Sequence, residues 1–136
     1  MKRRDFIALG AAAALTPATL SANVMDYTDG MVQKALAEGK TVFLDFAATW
    51  CSTCAAQDRV INALRDENPA YDANVMFVKV DWDNFGNGTL SNALKIPRRS
   101  TLVVLKGDKE LGRIVAGTAR KEIKKLMDVA LKAGKS

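Results

Sequence analysis

The chain has 136 residues, 49% of them apolar, a formal charge of +5 at neutral pH, two cysteines and no histidine. That length fits one domain, and the apolar fraction is enough to build its core. The absence of repeats and low-complexity tracts excludes fibrous, disordered and solenoid architectures, and so mild a charge argues against nucleic acid as a partner.

The N-terminal stretch MKRRDFIALGAAAALTPATLSA has a basic start at Lys2, Arg3 and Arg4, an apolar run from Phe6 to Leu15, and small polar residues after it. This is the layout of an export signal, and the run is too short for a comfortable membrane span. Within it, RRDFI resembles the twin-arginine signal family, with Lys2 where that family's Ser or Thr stands. The expectation is therefore a twin-arginine-type signal over residues 1–22, cleaved after Ala18 or Ala22, and a domain over residues 23–136 in the periplasm. An uncleaved signal would instead leave a membrane anchor. The remaining 17 basic and 14 acidic residues carry only +3.

In chain order, Met31 to Ala37 reads as a short helix ended by Gly39, and TVFLDF, Thr41 to Phe46, as a strand covered on both faces with Asp45 interrupting it. From Cys51 to about Asn68 the apolar residues Val60, Ile61 and Leu64 fall at helical spacing, and Pro69 follows the stop. VMFVKVD, Val75 to Asp81, is a second buried-looking strand. A Gly/Asn loop over residues 84–88 and a short helix to about Lys95 come next. STLVVLKGDKELGRIVAG reads as an antiparallel hairpin turning at Gly107 and Asp108. The chain closes with an amphipathic helix on Ile123, Leu126, Met127, Ala130 and Leu131, capped by Thr118. Its basic residues Arg120, Lys121, Lys124, Lys125 and Lys132 read as a solvated face, with a membrane surface or an acidic partner as the alternative. Strand, helix, strand demands a right-handed parallel crossover, to which the hairpin adds an antiparallel pair. The expected class is α/β, with a mixed four-stranded sheet flanked by helices.

The cysteines stand as Cys51-Ser52-Thr53-Cys54 at the junction of strand and helix. A disulfide across so short a gap removes little chain entropy, so a structural staple is the weak reading. Half of a zinc site is present, but no histidine and no further cysteine exists to complete it. Chemistry remains. With Cys51 in the first turn, helix amides and dipole favour its thiolate and lower its pKa below the free value of about 8.5. Cys51 is then an exposed nucleophile and Cys54 the thiol that resolves a mixed disulfide. Ser52 and Thr53 can donate hydrogen bonds to a thiolate.

FLDFAATWCSTC, with its strand, Trp50 and C-x-x-C, resembles the thioredoxin superfamily, and the element order matches that fold from about Met31 to Ala133. The resemblance implies that Asp45 matches the family's buried carboxylate, which assists proton transfer at the second cysteine. A carboxylate in an apolar strand should have a raised pKa, as that task requires, although a structural Asp bonded to backbone is the plainer alternative. Lys79 matches the lysine that pairs with that Asp, or simply snorkels from a strand edge. Trp50 matches the aromatic that shields the site.

The family places a cis-proline before its third strand. Here LKIPRRSTLVVLKG puts Ser100 in that slot when the strand is aligned without a gap, with Pro97 three residues upstream; placing Pro97 there instead demands that RRS be inserted before the strand. Arg99, Ser100 and Thr101 would then line a substrate groove. Arg98 and Arg99 would lower the thiolate pKa or grip an acidic group, unless they are an ordinary solvated pair.

Together these residues lead to the expectation of a periplasmic thiol–disulfide oxidoreductase that reduces protein disulfides. Its redox group is the Cys51–Cys54 disulfide, with no cofactor or metal. It is a monomer and draws electrons from a membrane donor. The rivals are a dithiol oxidase or isomerase of exported proteins, and a non-catalytic binding or assembly module of the same fold.

Overall fold

The computed structural model describes residues 24–136; the expected export signal lies outside the described residues. In chain order the elements are β1 (Met25–Asp26), α1 (Met31–Ala37), β2 (Thr41–Ala47), α2 (Ser52–Glu67), α3 (Ala70–Asn74), β3 (Met76–Asp81), α4 (Trp82–Phe85), α5 (Thr89–Ala93), β4 (Thr101–Lys106), β5 (Lys109–Val115) and α6 (Arg120–Gly134). They form a mixed sheet in the order β1-β3-β2-β4-β5. The pairs β1–β3 and β2–β3 are parallel, and β2–β4 and β4–β5 antiparallel. The crossover and hairpin are those the sequence demands. The sheet has five strands rather than four. The extra strand, β1, is two residues long and carries no alternation to read; Tyr27 N–H continues its ladder by donating to Lys79 O.

All seven residues of β2 are buried, as a strand covered on both faces requires. Because side chains alternate, Val42, Leu44 and Phe46 enter one apolar layer with Val32, Val78, Val80 and Val103. Phe43 enters the other, with Ile61, Leu64, Phe77, Leu102, Ile123 and Met127. Asp45 shares that second face, beneath α2, and stands in register with Lys79 on β3 and Leu102 on β4. A carboxyl group is thus delivered to the core at the strand end that leads into Cys51.

Two local expectations are corrected. The helix α6 begins at the N-cap Ala119 with no side-chain cap, not at Thr118. Burying Ile123 and Met127 completely contributes about 1.5–3 kcal/mol each, against about 1 kcal/mol for a cap, so packing places the helix. Pro69 follows the stop of α2 as expected and, with φ at −64°, is also the N-cap of α3. The short helix expected after the Gly/Asn loop is α5, and a further short helix not expected from the sequence, α4, precedes it, the two separated at Gly86 to Gly88.

Candidate active site

Cys51 is the N-cap of α2, in extended conformation, and its Sγ accepts the Cys54 amide at 3.2 Å. It therefore stands one position ahead of the first turn, and the helix terminus acts on it as on any capping acceptor. Both cysteines are free thiols here. The expected exposure of Cys51 is not found: it is 5% exposed, and Cys54 2%. Ala47, Ala48 and Trp82 pack around the pair, and Ser100 closes over it. Access is through a cleft of about 590 Å³ that both cysteines line, together with Thr49, Asp58, Lys79 and Asn84.

Ser100 supplies the group that joins the sulfurs. Its Oγ lies 3.2 Å from Cys51 Sγ and 3.1 Å from Cys54 Sγ. Ser100 has φ +66°, a left-handed conformation that strains a non-glycine residue by about 1–3 kcal/mol. Its surroundings hold it there: Ser100 N–H donates to Phe46 O at 2.7 Å, while Ser100 O accepts Ala116 N–H at 2.8 Å and Gln57 Nε2–H at 2.9 Å. Gln57, fully buried on α2, also donates to Gly117 O at 2.9 Å. Its one side chain fixes the Ser100 loop and the end of β5 against the cysteine helix. No cis peptide bond occurs among the described residues, so Arg99–Ser100 is trans.

These contacts divide the thiols. Burial pushes Cys51 up, but hydrogen bonds from Cys54, Ser100 and Arg99 outweigh it and lower its pKa to about 7. Burial and the neighbouring Cys51 push Cys54 up. One sulfur is poised as a thiolate near neutrality and the other is kept as a thiol.

Asp45, 6% exposed, has its carboxyl raised well above the usual range, first by burial and then by Asp58 beside it. Lys79 does not pair with Asp45 as expected. Its Nζ reaches Asp58 Oδ2 at 2.6 Å instead, while acting on Asp45 only through its field. The reason is placement: Asp58 lies at the cleft's edge, where Lys79 can meet it half-solvated, whereas Asp45 lies beneath α2.

Trp50 is 60% exposed. Its indole N–H donates to both oxygens of Asp83, at 3.1 and 3.0 Å, and the Arg99 guanidinium stacks on the ring at 4.6 Å. Arg99 thereby comes over Cys51, with its Nε buried and unpartnered. Arg98 turns back to donate from Nε to Arg99 O at 2.9 Å, and Thr101, fully buried, donates to Arg98 O at 2.7 Å. Arg98 and Thr101 thus brace the loop. Ser52 is exposed and Thr53 half-buried, and the hydroxyl that reaches the sulfurs is that of Ser100. The structure thus brings together Cys51, Cys54, Ser100, Arg99 and Trp50, with Asp45 and Lys79 behind them. Sequence reasoning missed Gln57, Asp58 and Asp83. The signal for the first two was available: they follow Cys54 at three and four positions and so project from α2 on its side.

Among the described residues no group of three or more His, Cys, Asp or Glu could hold a metal ion.

Comparison with known proteins agrees with this geometry. The thioredoxin family profile matches residues 23–129. Thioredoxin H-type of Fagopyrum esculentum is 33% identical over 90 residues, covering 66% of this chain and 71% of that protein. Thioredoxin-1 of Saccharomyces cerevisiae is 32% identical over 81 residues, 60% of this chain and 73% of its own length. Among solved structures, Trxlp from Edwardsiella tarda superposes with a TM-score of 0.66 at 26% identity, covering 76% of this chain and 98% of that one. A thioredoxin from Nicotiana alata does so with a TM-score of 0.60 at 30% identity, over 75% and 87%. The chain belongs to the thioredoxin family and is a thiol–disulfide oxidoreductase whose C-x-x-C pair is Cys51 and Cys54.

Proposed function

We propose that the protein reduces protein disulfides in the periplasm, with Cys51 as nucleophile and Cys54 as resolving thiol. The observation that carries this reading is the division of the two thiols, with Cys51 lowered to about 7 and Cys54 raised. A value near 7 is where thioredoxin-type thiols lie, against about 3.5 in a strong periplasmic oxidant. The relatives' names, all thioredoxins, support the reducing direction.

The Cys51 thiolate attacks a substrate disulfide along its S–S axis and expels one substrate thiolate, leaving a Cys51–substrate mixed disulfide. Cys54 loses its proton and attacks Cys51 Sγ, which releases the second substrate thiolate and forms the Cys51–Cys54 disulfide. Two electrons pass to the substrate, and the disulfide is the only redox group the reaction needs. Ser100 donates first to the Cys51 thiolate and then to the Cys54 thiolate, a switch its position between the sulfurs permits without movement of the loop. Asp45 takes up the Cys54 proton. Arg99, half-buried and stacked on Trp50, receives an acidic group of the substrate beside the disulfide through its guanidinium. The protein acts as a monomer.

The periplasmic location rests on the pattern of residues 1–22 and requires a membrane donor, because that compartment is held oxidising. The reduction potential of the pair, measured against defined thiol buffers, tests the direction. A value near −270 mV or below marks a reductase, and one near −120 mV an oxidant.

A further inference from the structure

The carboxylate that pairs with Lys79 is not the one buried under the cysteine helix. Asp58 borders both the cleft that holds Cys51 and Cys54 and the small cavity that holds Asp45. Asp45 touches only the second, of about 90 Å³. The two carboxyl groups line that cavity together, and a hydrogen bond between them requires one shared proton. Asp45 Oδ1 is buried with no partner, while Asp58 Oδ2 is held by Lys79 at 2.6 Å. Asp58 is about one-third exposed, so the pair has one buried member and one that meets water.

From this geometry we infer that Asp58 is the outlet of a two-carboxyl relay, through which Asp45 passes the Cys54 proton to solvent in the cleft. The inference rests on Asp45 handling that proton. When Cys54 S–H gives its proton to the free oxygen of Asp45, the proton already shared with Asp58 moves onto Asp58 and leaves to water. The Cys54 thiolate then attacks Cys51 Sγ, and the pair returns to its singly protonated state. Because the pair already holds one proton, it takes the Cys54 proton only by releasing another through Asp58, and the negative charge left on Cys54 Sγ departs with the substrate thiolate when Cys54 attacks Cys51. Lys79 stabilises the outer carboxylate in its resting form. The other charged groups facing the pair are Asp26 on β1, Asp81 at the end of β3, and the cysteines themselves. Against the downward pull of its burial, Asp58, Asp45 and Asp26 raise Lys79, so it stays a cation throughout the working range.

An aromatic disulfide such as dithiobis(nitrobenzoate) separates the steps, because the first coloured thiolate leaves when Cys51 attacks and the second when Cys54 resolves. The readout is the second-phase rate, relative to the first, as a function of pH. Asp58→Asn should slow the second phase at least about tenfold near neutrality and move its pH midpoint down, since a negative neighbour of Asp45 is lost. Lys79→Met should move the midpoint up, since a positive neighbour is lost. If Asp58 served only to hold Lys79, Lys79→Met would slow the second phase as much as Asp58→Asn does, and that result overturns the inference. Asp58→Glu, which keeps the carboxyl, should restore the second phase and guards against mere misfolding. A slow second phase in Asp45→Asn with an unaltered one in Asp58→Asn would overturn the relay and leave the role of Asp45 standing. Unaltered second phases in both would remove that role as well.

Discussion

Replacing Ser100 with alanine removes the one hydroxyl that touches both sulfurs, at 3.2 and 3.1 Å, and leaves the backbone contacts of the loop in place. A hydrogen bond to a charged group contributes about 1.5–3 kcal/mol, and the diffuse charge of a thiolate puts this one at the lower end. About 1.5 kcal/mol is about one pKa unit, so Cys51 should move from about 7 to about 8. At pH 7 the thiolate fraction then falls from about one half to about one tenth. The more basic thiolate is about threefold more nucleophilic, so alkylation by iodoacetamide should slow only about twofold at pH 7. At pH 9 it should exceed the wild-type rate about two- to threefold. The two pH–rate profiles must therefore cross. The ultraviolet absorbance of the thiolate gives the same midpoint independently. Parallel profiles, or a midpoint still near 7, would show that the hydroxyl does not donate to Cys51 and that the division of the thiols has another origin.

Cys51→Ser should abolish reduction of insulin disulfides, read as the absence of B-chain precipitation with dithiothreitol as donor. Gln57→Leu leaves the Gly117 carbonyl without its Gln57 donor, at a cost of about 1–3 kcal/mol, and the Ser100 carbonyl with Ala116 N–H alone, and should lower the denaturant midpoint with the slope unchanged. The pKa of Asp45 is raised in the fold, so between its unfolded value near 3.9 and its folded value the native state keeps a proton that the unfolded chain has lost. Stability falls as pH rises through that window, at up to about 1.4 kcal/mol per pH unit, and stays lower above it. Asp45→Asn should therefore match wild type near pH 4 and exceed it in thermal melts at pH 7. Trp50→Ala forfeits an exposed cation–π contact of about 0.5–1 kcal/mol, so it should barely alter stability while raising KM for protein disulfides more than it lowers kcat.

The parts of the fold legible in the sequence are those written as pattern. The apolar run of β2, the helical spacing after Cys51 and the Gly107 turn each state their own conformation, and the crossover rule joins them. The edge strand β1 was hidden because two residues carry no period; it pairs with β3 at Met25 and Asp26 only. The cysteines and Asp45 were legible by type and spacing. The partner of Lys79 was not, because an ion pair goes to whichever carboxylate the packing leaves at the cleft, and Asp58 on α2 outcompetes Asp45 below it. The exposure of Cys51 was misjudged for a related reason: the covering residue, Ser100, is distant in sequence, and only tertiary structure brings it over both sulfurs. Alignment of β4 without a gap nonetheless placed Ser100 in that loop correctly, since Thr101 begins the strand.

The most direct test of the account is to trap the intermediate. A Cys54→Ser variant, incubated with an oxidised protein substrate and digested without reductant, should yield a mixed disulfide whose linkage, mapped by mass spectrometry, lies at Cys51. The converse Cys51→Ser variant should accumulate none, because Cys54 is held as a thiol. Linkage through Cys54 in that variant, at a rate equal to that of the Cys51 adduct, would contradict the assignment of nucleophile and resolving thiol on which the rest depends.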